Sequence, residues 1–290
     1  MPVRVGCAMW ANRDWIGRAL PADTRPPQLL AAYSRRFGAV EGNTTFYGLP
    51  SPGSVRRWAD EAPESFRFLF KLPRTITHER RLRDAGDEVA EFCRRVEPLG
   101  PRLGPTSVQL PASFGPDQLD LLDRFLAALP GDRPWSVEVR HPDFFAGGTS
   151  EQALDGLLHR RGIDRVVLDS RALFSRPASG EAERVAQEAK PRLPVRPTAT
   201  GPFPVVRFIG HLDPEVSATH WARWFPVVAR WVEQGRSPAL LLHTADNVEA
   251  PEQALRFVEG LLAHSPDLVT EVVPAAEPDP GPTAATLPLS

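Results

Sequence analysis

Eight short runs of β-branched and aromatic residues recur along the chain, at 3–8, 39–43, 66–71, 106–110, 135–140, 165–169, 205–209 and 239–243. Between them lie stretches with the apolar spacing of amphipathic helices, at 27–37, 53–61, 84–97, 116–129, 150–161, 215–234 and 251–263. An ill-defined helix falls somewhere within 170–189. A strand followed by a helix, repeated, dictates a parallel sheet, because each crossover returns the chain to the same edge direction. Eight such units in roughly 250 residues predict an α/β, TIM-barrel-like (β/α)8 fold, with eight parallel strands and outer helices. No Gly-x-Gly-x-x-Gly or P-loop follows the first run, which argues against an open nucleotide-binding sheet. The pattern gives one barrel domain over 1–270. The Pro/Ala-rich residues 271–290 read as a disordered tail, and the proline-rich 176–204 as a long surface connection.

The net charge of −2 gives no global basic field that would draw the chain to nucleic acid or an anionic membrane, although a local basic cleft stays open. The two cysteines, Cys7 and Cys93, are too few for a disulfide framework or a thiolate metal site. The N-terminus lacks the charged and apolar regions of a signal peptide, and no apolar run is long enough to span a bilayer, so a cytoplasmic location is expected. Of the 34 basic residues only Lys71 and Lys190 are lysines, which makes each one worth following.

Side chains alternate across a strand, so each run can be sorted by face. With the apolar face turned to the outer helices, six consecutive strands direct Glu41, Asn43, Lys71, Gln109, Glu138, Arg140, Asp169 and Arg207 inward, mostly near strand C-termini, where barrel enzymes place their sites. Burying that much charge is costly unless the groups pair with one another or meet a ligand.

Several motifs accompany these residues: Val5-Gly-Cys-Ala-Met-Trp10; Val40-Glu-Gly-Asn-Thr-Thr-Phe-Tyr47; Phe66-x-Phe-x-x-Lys71-x-Pro-Arg74-x-x-Thr77-His78; Gln109-Leu-Pro-x-x-Phe114; Val137-Glu-Val-Arg-His-Pro142; and Val206-Arg-Phe-Ile-Gly210. In order and spacing the chain resembles the domain of unknown function 72 (YecE-like) family over most of residues 3–265. The resemblance implies a TIM-barrel-like fold and no particular activity. The first and eighth loops depart from the family pattern. They read Cys7-Ala8-Met9-Trp10, without the usual hydroxyls, and His243-Thr-Ala-Asp246-Asn247.

Glu138 with His141 and Asp169 suits general acid/base work, and Arg140 suits an anionic group. The alternative has Glu138 neutralising Arg140 while His141 caps the loop before Pro142. Lys71 could act as a base or form a Schiff base, with Arg74 and His78 binding phosphate or carboxylate; a Lys71–Glu41 ion pair is the competing reading. Glu41, Asn43 and Thr44 supply a carboxylate, an amide and a hydroxyl, a mix suited to a polyhydroxylated ligand, and Gln109 and Arg207 join the binding set. No organic cofactor is required. A divalent metal would need Glu41, Glu138, His141, Asp169 and His211 to converge. Trp10 and Trp15 could roof the site or pack its loops. The sequence therefore predicts an enzyme, a hydrolase or lyase, acting on a phosphorylated or sugar-like anionic small molecule. A non-catalytic protein binding nucleic acid or an anionic metabolite, and a divalent-metal phosphoesterase, are the alternatives. The sequence carries no sign of oligomeric state.

Overall fold

The computed structural model describes residues 2–270 and Val272. The expected tail at 271–290 thus lies outside the described residues, Val272 excepted. Nine strands are present among them: β1 Arg4–Cys7, β2 Ala39–Gly42, β3 Arg67–Phe70, β4 Thr106–Gln109, β5 Trp135–Glu138, β6 Asp164–Arg165, β7 Val167–Asp169, β8 Val205–Ile209 and β9 Ala239–His243. The helices are α1 Leu29–Arg36, α2 Thr44–Tyr47, α3 Pro52–Glu61, α4 Gly86–Val96, α5 Leu119–Ala127, α6 Thr149–Arg161, α7 Glu181–Ala189, α8 Pro214–Trp221, α9 Phe225–Glu233 and α10 Ala250–His264. Every strand pairing is parallel, as the alternation requires.

The expected parallel α/β sheet is present and curled, but its hydrogen bonding does not run as one continuous ring of eight strands. A six-stranded sheet runs β3-β2-β1-β9-β8-β7, and a separate three-stranded sheet runs β4-β5-β6. The sixth expected strand is broken at Val166, whose N–H still donates to Val137 O at 2.8 Å. Between β3 and β4 only isolated bridges form, at Phe68–Leu103 and Lys71–Ser107. The expected helix at 215–234 is divided into α8 and α9 by a 3-10 turn at Ala222–Trp224.

Local chemistry explains the element boundaries. Ser51 caps α3 by accepting from Ser54 N at 3.1 Å, with Pro52 in the first turn, where a missing N–H costs nothing. Gly162 ends α6 in the left-handed region at φ 62°. The helix faces and outer strand faces merge into one apolar cluster reaching from Val3 to Val272. Trp221, Trp224, Val228 and Trp231 belong to that core, so their helical spacing reflects packing rather than a stacking surface. Inside the curled sheet, Ala39, Leu69, Val166, Val205, Ala239 and Leu241 form a second, small apolar cluster. One approach is especially tight. The Tyr33 hydroxyl accepts from Cys7 N at 2.7 Å and donates to Ala39 O at 2.9 Å, pinning β1 to β2. A Cβ on Gly6 would lie 1.7 Å from Ala39 O.

Candidate functional site

Beyond the small inner apolar cluster, the inward faces turn to charge. Glu41 on β2 and Glu138 on β5 are 3% and 1% exposed, and Arg207 on β8 lies between them. Arg207 Nε and Nη2 meet Glu41 Oε1 and Oε2 at 2.5 and 3.2 Å. Its Nη1 donates to Glu138 Oε2 at 2.9 Å. One guanidinium therefore ties the six-stranded sheet to the three-stranded one through charge-assisted hydrogen bonds. Arg140 adds two bonds to Glu138 Oε1, from Nε at 3.0 Å and Nη2 at 2.8 Å. Lys71 Nζ stands 3.3 Å from Glu41 Oε1, and Asn43 Nδ2 donates to Glu41 Oε2 at 3.0 Å and to Ala8 O at 3.1 Å.

These contacts set the protonation states. Desolvation is the largest single influence on Glu138, yet the charges of Arg207, Arg140 and Lys71 together hold its carboxyl down at about 2. The same balance, with Arg207 and Lys71 foremost among the cations, holds Glu41 well below the usual carboxylate range. Burial, reinforced by Arg207, pulls the Lys71 ammonium down to about 8 despite Glu41. His243, at the end of β9, is pulled to about 3 by burial, against the opposing field of Glu41. Its Nε2 sits 3.4 Å from Glu41 Oε2, but a neutral imidazole makes no ion pair there.

Above this layer opens a cavity of about 420 Å³. Lys71, Arg74, Arg140, Lys190 and Arg207 all line it, with no carboxylate in its wall among the described residues. His78, Asn43, Gln109 and His243 add polar lining. Gln109 is buried and its Oε1 has no partner among the described residues. His78 takes part in a 2.9 Å hydrogen bond with Thr77 and packs edge-on against Phe46; burial, then Arg140 and Arg74, lower its affinity for a proton. Arg74 is exposed and reaches Glu79 at 3.4 Å.

Seven of the expected inward residues thus meet in one place: Glu41, Asn43, Lys71, Gln109, Glu138, Arg140 and Arg207. Three expected site residues fall elsewhere. Asp169 is fully buried but faces the outer helices, accepting from Trp224 Nε1 at 2.9 Å and from Arg171 Nε and Nη2 at 2.9 and 2.8 Å. His141 caps a 3-10 turn, its Nδ1 accepting from Asp143 N at 3.3 Å. Thr44 is exposed at the start of α2. Its neighbour Thr45 is the structural hydroxyl, in contact with Lys71 O at 2.7 Å. The suggested metal ligands do not converge either. Glu41 and Glu138 are held by guanidinium groups, while His211 lies 3.3 Å from Glu183. No metal-like grouping of three His, Cys, Asp or Glu occurs among the described residues. Trp15 is buried against Tyr33 and Trp10 packs on Trp58 and Phe68, so both fill loops rather than roof the cavity.

Lys190 and His243 line the cavity at positions that strand alternation in the sequence does not mark. Lys190 is the C-cap of α7, a position that no strand alternation reaches, although the scarcity of lysine marked it. His243 is the last inward residue of β9, in a run whose other members, Ala-Leu-Leu-Leu, show no alternation.

The model of the family described as "Protein of unknown function DUF72" matches residues 4–278. The chain is 41% identical over 266 residues to the UPF0759 protein YecE of Escherichia coli (strain K12), covering 92% of this chain and 95% of that protein. It is 26% identical over 159 residues to the UPF0759 protein YunF of Bacillus subtilis (strain 168), about half of each chain. Among solved structures, a DUF72 family protein from Thermotoga maritima MSB8 superposes with a TM-score of 0.67 at 25% identity, covering 90% of this chain and 99% of that one. One from Enterococcus faecalis V583 gives a TM-score of 0.68 at 19% identity, a likeness of fold alone, covering 90% of this chain and 97% of that one. No helix among the described residues is long and apolar enough to cross a membrane.

Proposed function

The chain belongs to the DUF72 family, and because that membership brings no activity with it, we propose from the geometry that the cavity binds a phosphorylated small molecule. The observation that carries this is the wall itself: among the described residues, five cationic side chains and no carboxylate around about 420 Å³. That volume suits a metabolite-sized ligand. Glu41 and Glu138 lie beneath, and Arg207, Arg140 and Lys71 already outnumber them. The guanidinium of Arg140 uses Nε and Nη2 on Glu138, which leaves Nη1 for a phosphoryl oxygen. Gln109 offers an amide to a ligand hydroxyl.

In this reading the two sheets act together as one TIM-barrel-like frame over residues 1–270, with the site at the C-terminal strand ends. Glu138 serves to orient Arg140 and Arg207 rather than to move protons, since its oxygens are occupied and it stays ionised. Lys71 is the group suited to proton transfer near neutrality. The test is a thermal-shift series with inorganic phosphate, sugar phosphates and the matching neutral sugars. At about a hundredfold the dissociation constant a ligand adds about 2.7 kcal/mol. For a chain of this size that is a rise of roughly 5–10 °C. Sugar phosphates should give it and neutral sugars should not; a flat response to every anion defeats the proposal.

A second reading rests on Tyr47, which lines the same cavity and is 77% exposed. An exposed ring beside cations suits a nucleic-acid base. Binding of a short single strand that weakens steeply with salt would favour it.

A further inference from the structure

The cavity has two amines, and they are the only two lysines of the chain. Everywhere else a fixed positive charge is supplied by arginine, which cannot lose its proton and cannot act as a nucleophile. Lys71 is also not needed to neutralise its neighbour. Glu41 already faces the Nε and Nη2 edge of the Arg207 guanidinium, and Glu138 meets Arg207 Nη1 and Arg140. Three cations therefore face two carboxylates in the buried layer, and the surplus one is the amine. Its backbone is held in place, because Thr45 Oγ1 contacts both Lys71 O at 2.7 Å and Lys71 N at 3.3 Å. Its side chain is 7% exposed and lines the cavity.

We infer that Lys71 forms an imine with the carbonyl carbon of a phosphorylated aldehyde or ketone seated in the cavity. This rests on the phosphate-binding reading above and names the substrate class. The Nζ–C bond forms as the carbonyl C–O bond breaks. The oxygen departs as water with two protons from the ammonium, and the product is a protonated imine of unchanged charge. Glu41 therefore keeps the same electrostatic partner before and after the step. The lowered proton affinity of Lys71 supplies the free amine for attack near neutrality. Arg140 and Lys190 hold the phosphoryl group; Lys190 Nζ makes no ion pair or hydrogen bond among the described residues.

The experiment uses the full chain with pyridoxal 5′-phosphate, a phosphorylated aldehyde, followed by borohydride reduction and peptide mass mapping. Pyridoxine 5′-phosphate, which has an alcohol in place of the aldehyde, is tested in parallel by thermal shift. Lys71 should carry the adduct in at least roughly tenfold excess over Lys190 and the terminal amine. Inorganic phosphate should protect it, and Lys71→Arg should lose the adduct. Labelling spread evenly over the amines, or absent while pyridoxine 5′-phosphate stabilises the protein, overturns the imine and leaves the phosphate site standing. If neither labelling nor stabilisation occurs, both fall.

Discussion

Replacing Arg207 by methionine keeps most of the buried stem and removes the charge that Glu41 and Glu138 share. Both carboxylates are almost fully buried, at 3% and 1% exposure. After the change Glu41 retains Lys71 at 3.3 Å and Glu138 retains Arg140 at 2.8 Å, so neither is abandoned, but two charges lose their shortest common partner. Breaking one partner out of a buried ion pair costs about 3–5 kcal/mol. For a domain of this size that corresponds to a melting-temperature drop of roughly 6–20 °C. Thermal and urea unfolding at neutral pH measure it. The triple variant Glu41→Gln, Glu138→Gln, Arg207→Met should recover only part of the loss, because it strands the buried Lys71 ammonium that Glu41 now faces at 3.3 Å. The acid limb supplies an independent check. The Glu138 carboxyl falls from 4.5 unfolded to about 2 folded, so its contribution is complete above 4.5 and disappears as pH falls through about 2. That contribution is worth about 3 kcal/mol. Without Arg207 the carboxyl titrates higher and this limb flattens. A single variant within about 1 kcal/mol of the parent, the value of a surface pair, would refute the claim that the cluster is a desolvated unit.

His243 binds its proton at about 3 in the folded chain and 6.5 in the unfolded one, so stability should decline as pH falls from 6.5 toward 3. His243→Gln should remove a few kcal/mol of that decline, read from unfolding midpoints across the range. Thr45→Val removes the hydroxyl that contacts Lys71 and Gly42 carbonyls and should cost about 1–3 kcal/mol in urea unfolding. Gly6→Ala forces a methyl to 1.7 Å from Ala39 O. Because backbone must move to admit it, that variant should fail to give soluble folded protein by circular dichroism, whereas Gly86→Ala, where a Cβ meets nothing within 4 Å, should fold normally.

The charged cluster was legible in the sequence wherever a strand mixes polar and apolar residues. In the run 66–71, Phe66, Phe68 and Phe70 share the face that packs into the outer core, so Lys71, of opposite parity, points inward. The same logic placed Glu41, Gln109, Glu138 and Arg207. It failed at Asp169 for a physical reason. Val166, Val167 and Leu168 are all apolar, so the run has no marked face, and Val166 turned out to line the interior while Val167 joined the outer core. That reversal carries Asp169 outward to Trp224. Helix positions followed the apolar spacing, but α7 and its terminal Lys190 sit in a proline-flanked segment of weak pattern. The division into two sheets depends on how neighbouring backbones meet, at Val166 and between β3 and β4, and composition does not encode that.

Arg207 spanning the gap between the sheets also constrains how sequences of this kind can drift. Losing any one of Glu41, Glu138 or Arg207 strips buried charges of a partner they share, so each single step away is penalised, and a joint exchange of all three for neutral residues has to take the buried Lys71 with it. Substitutions there should arise together or not at all. Arg74, which solvent reaches freely, stands outside this bargain and can vary one residue at a time, so ligand preference can be retuned at the cavity's rim without disturbing the charges beneath it.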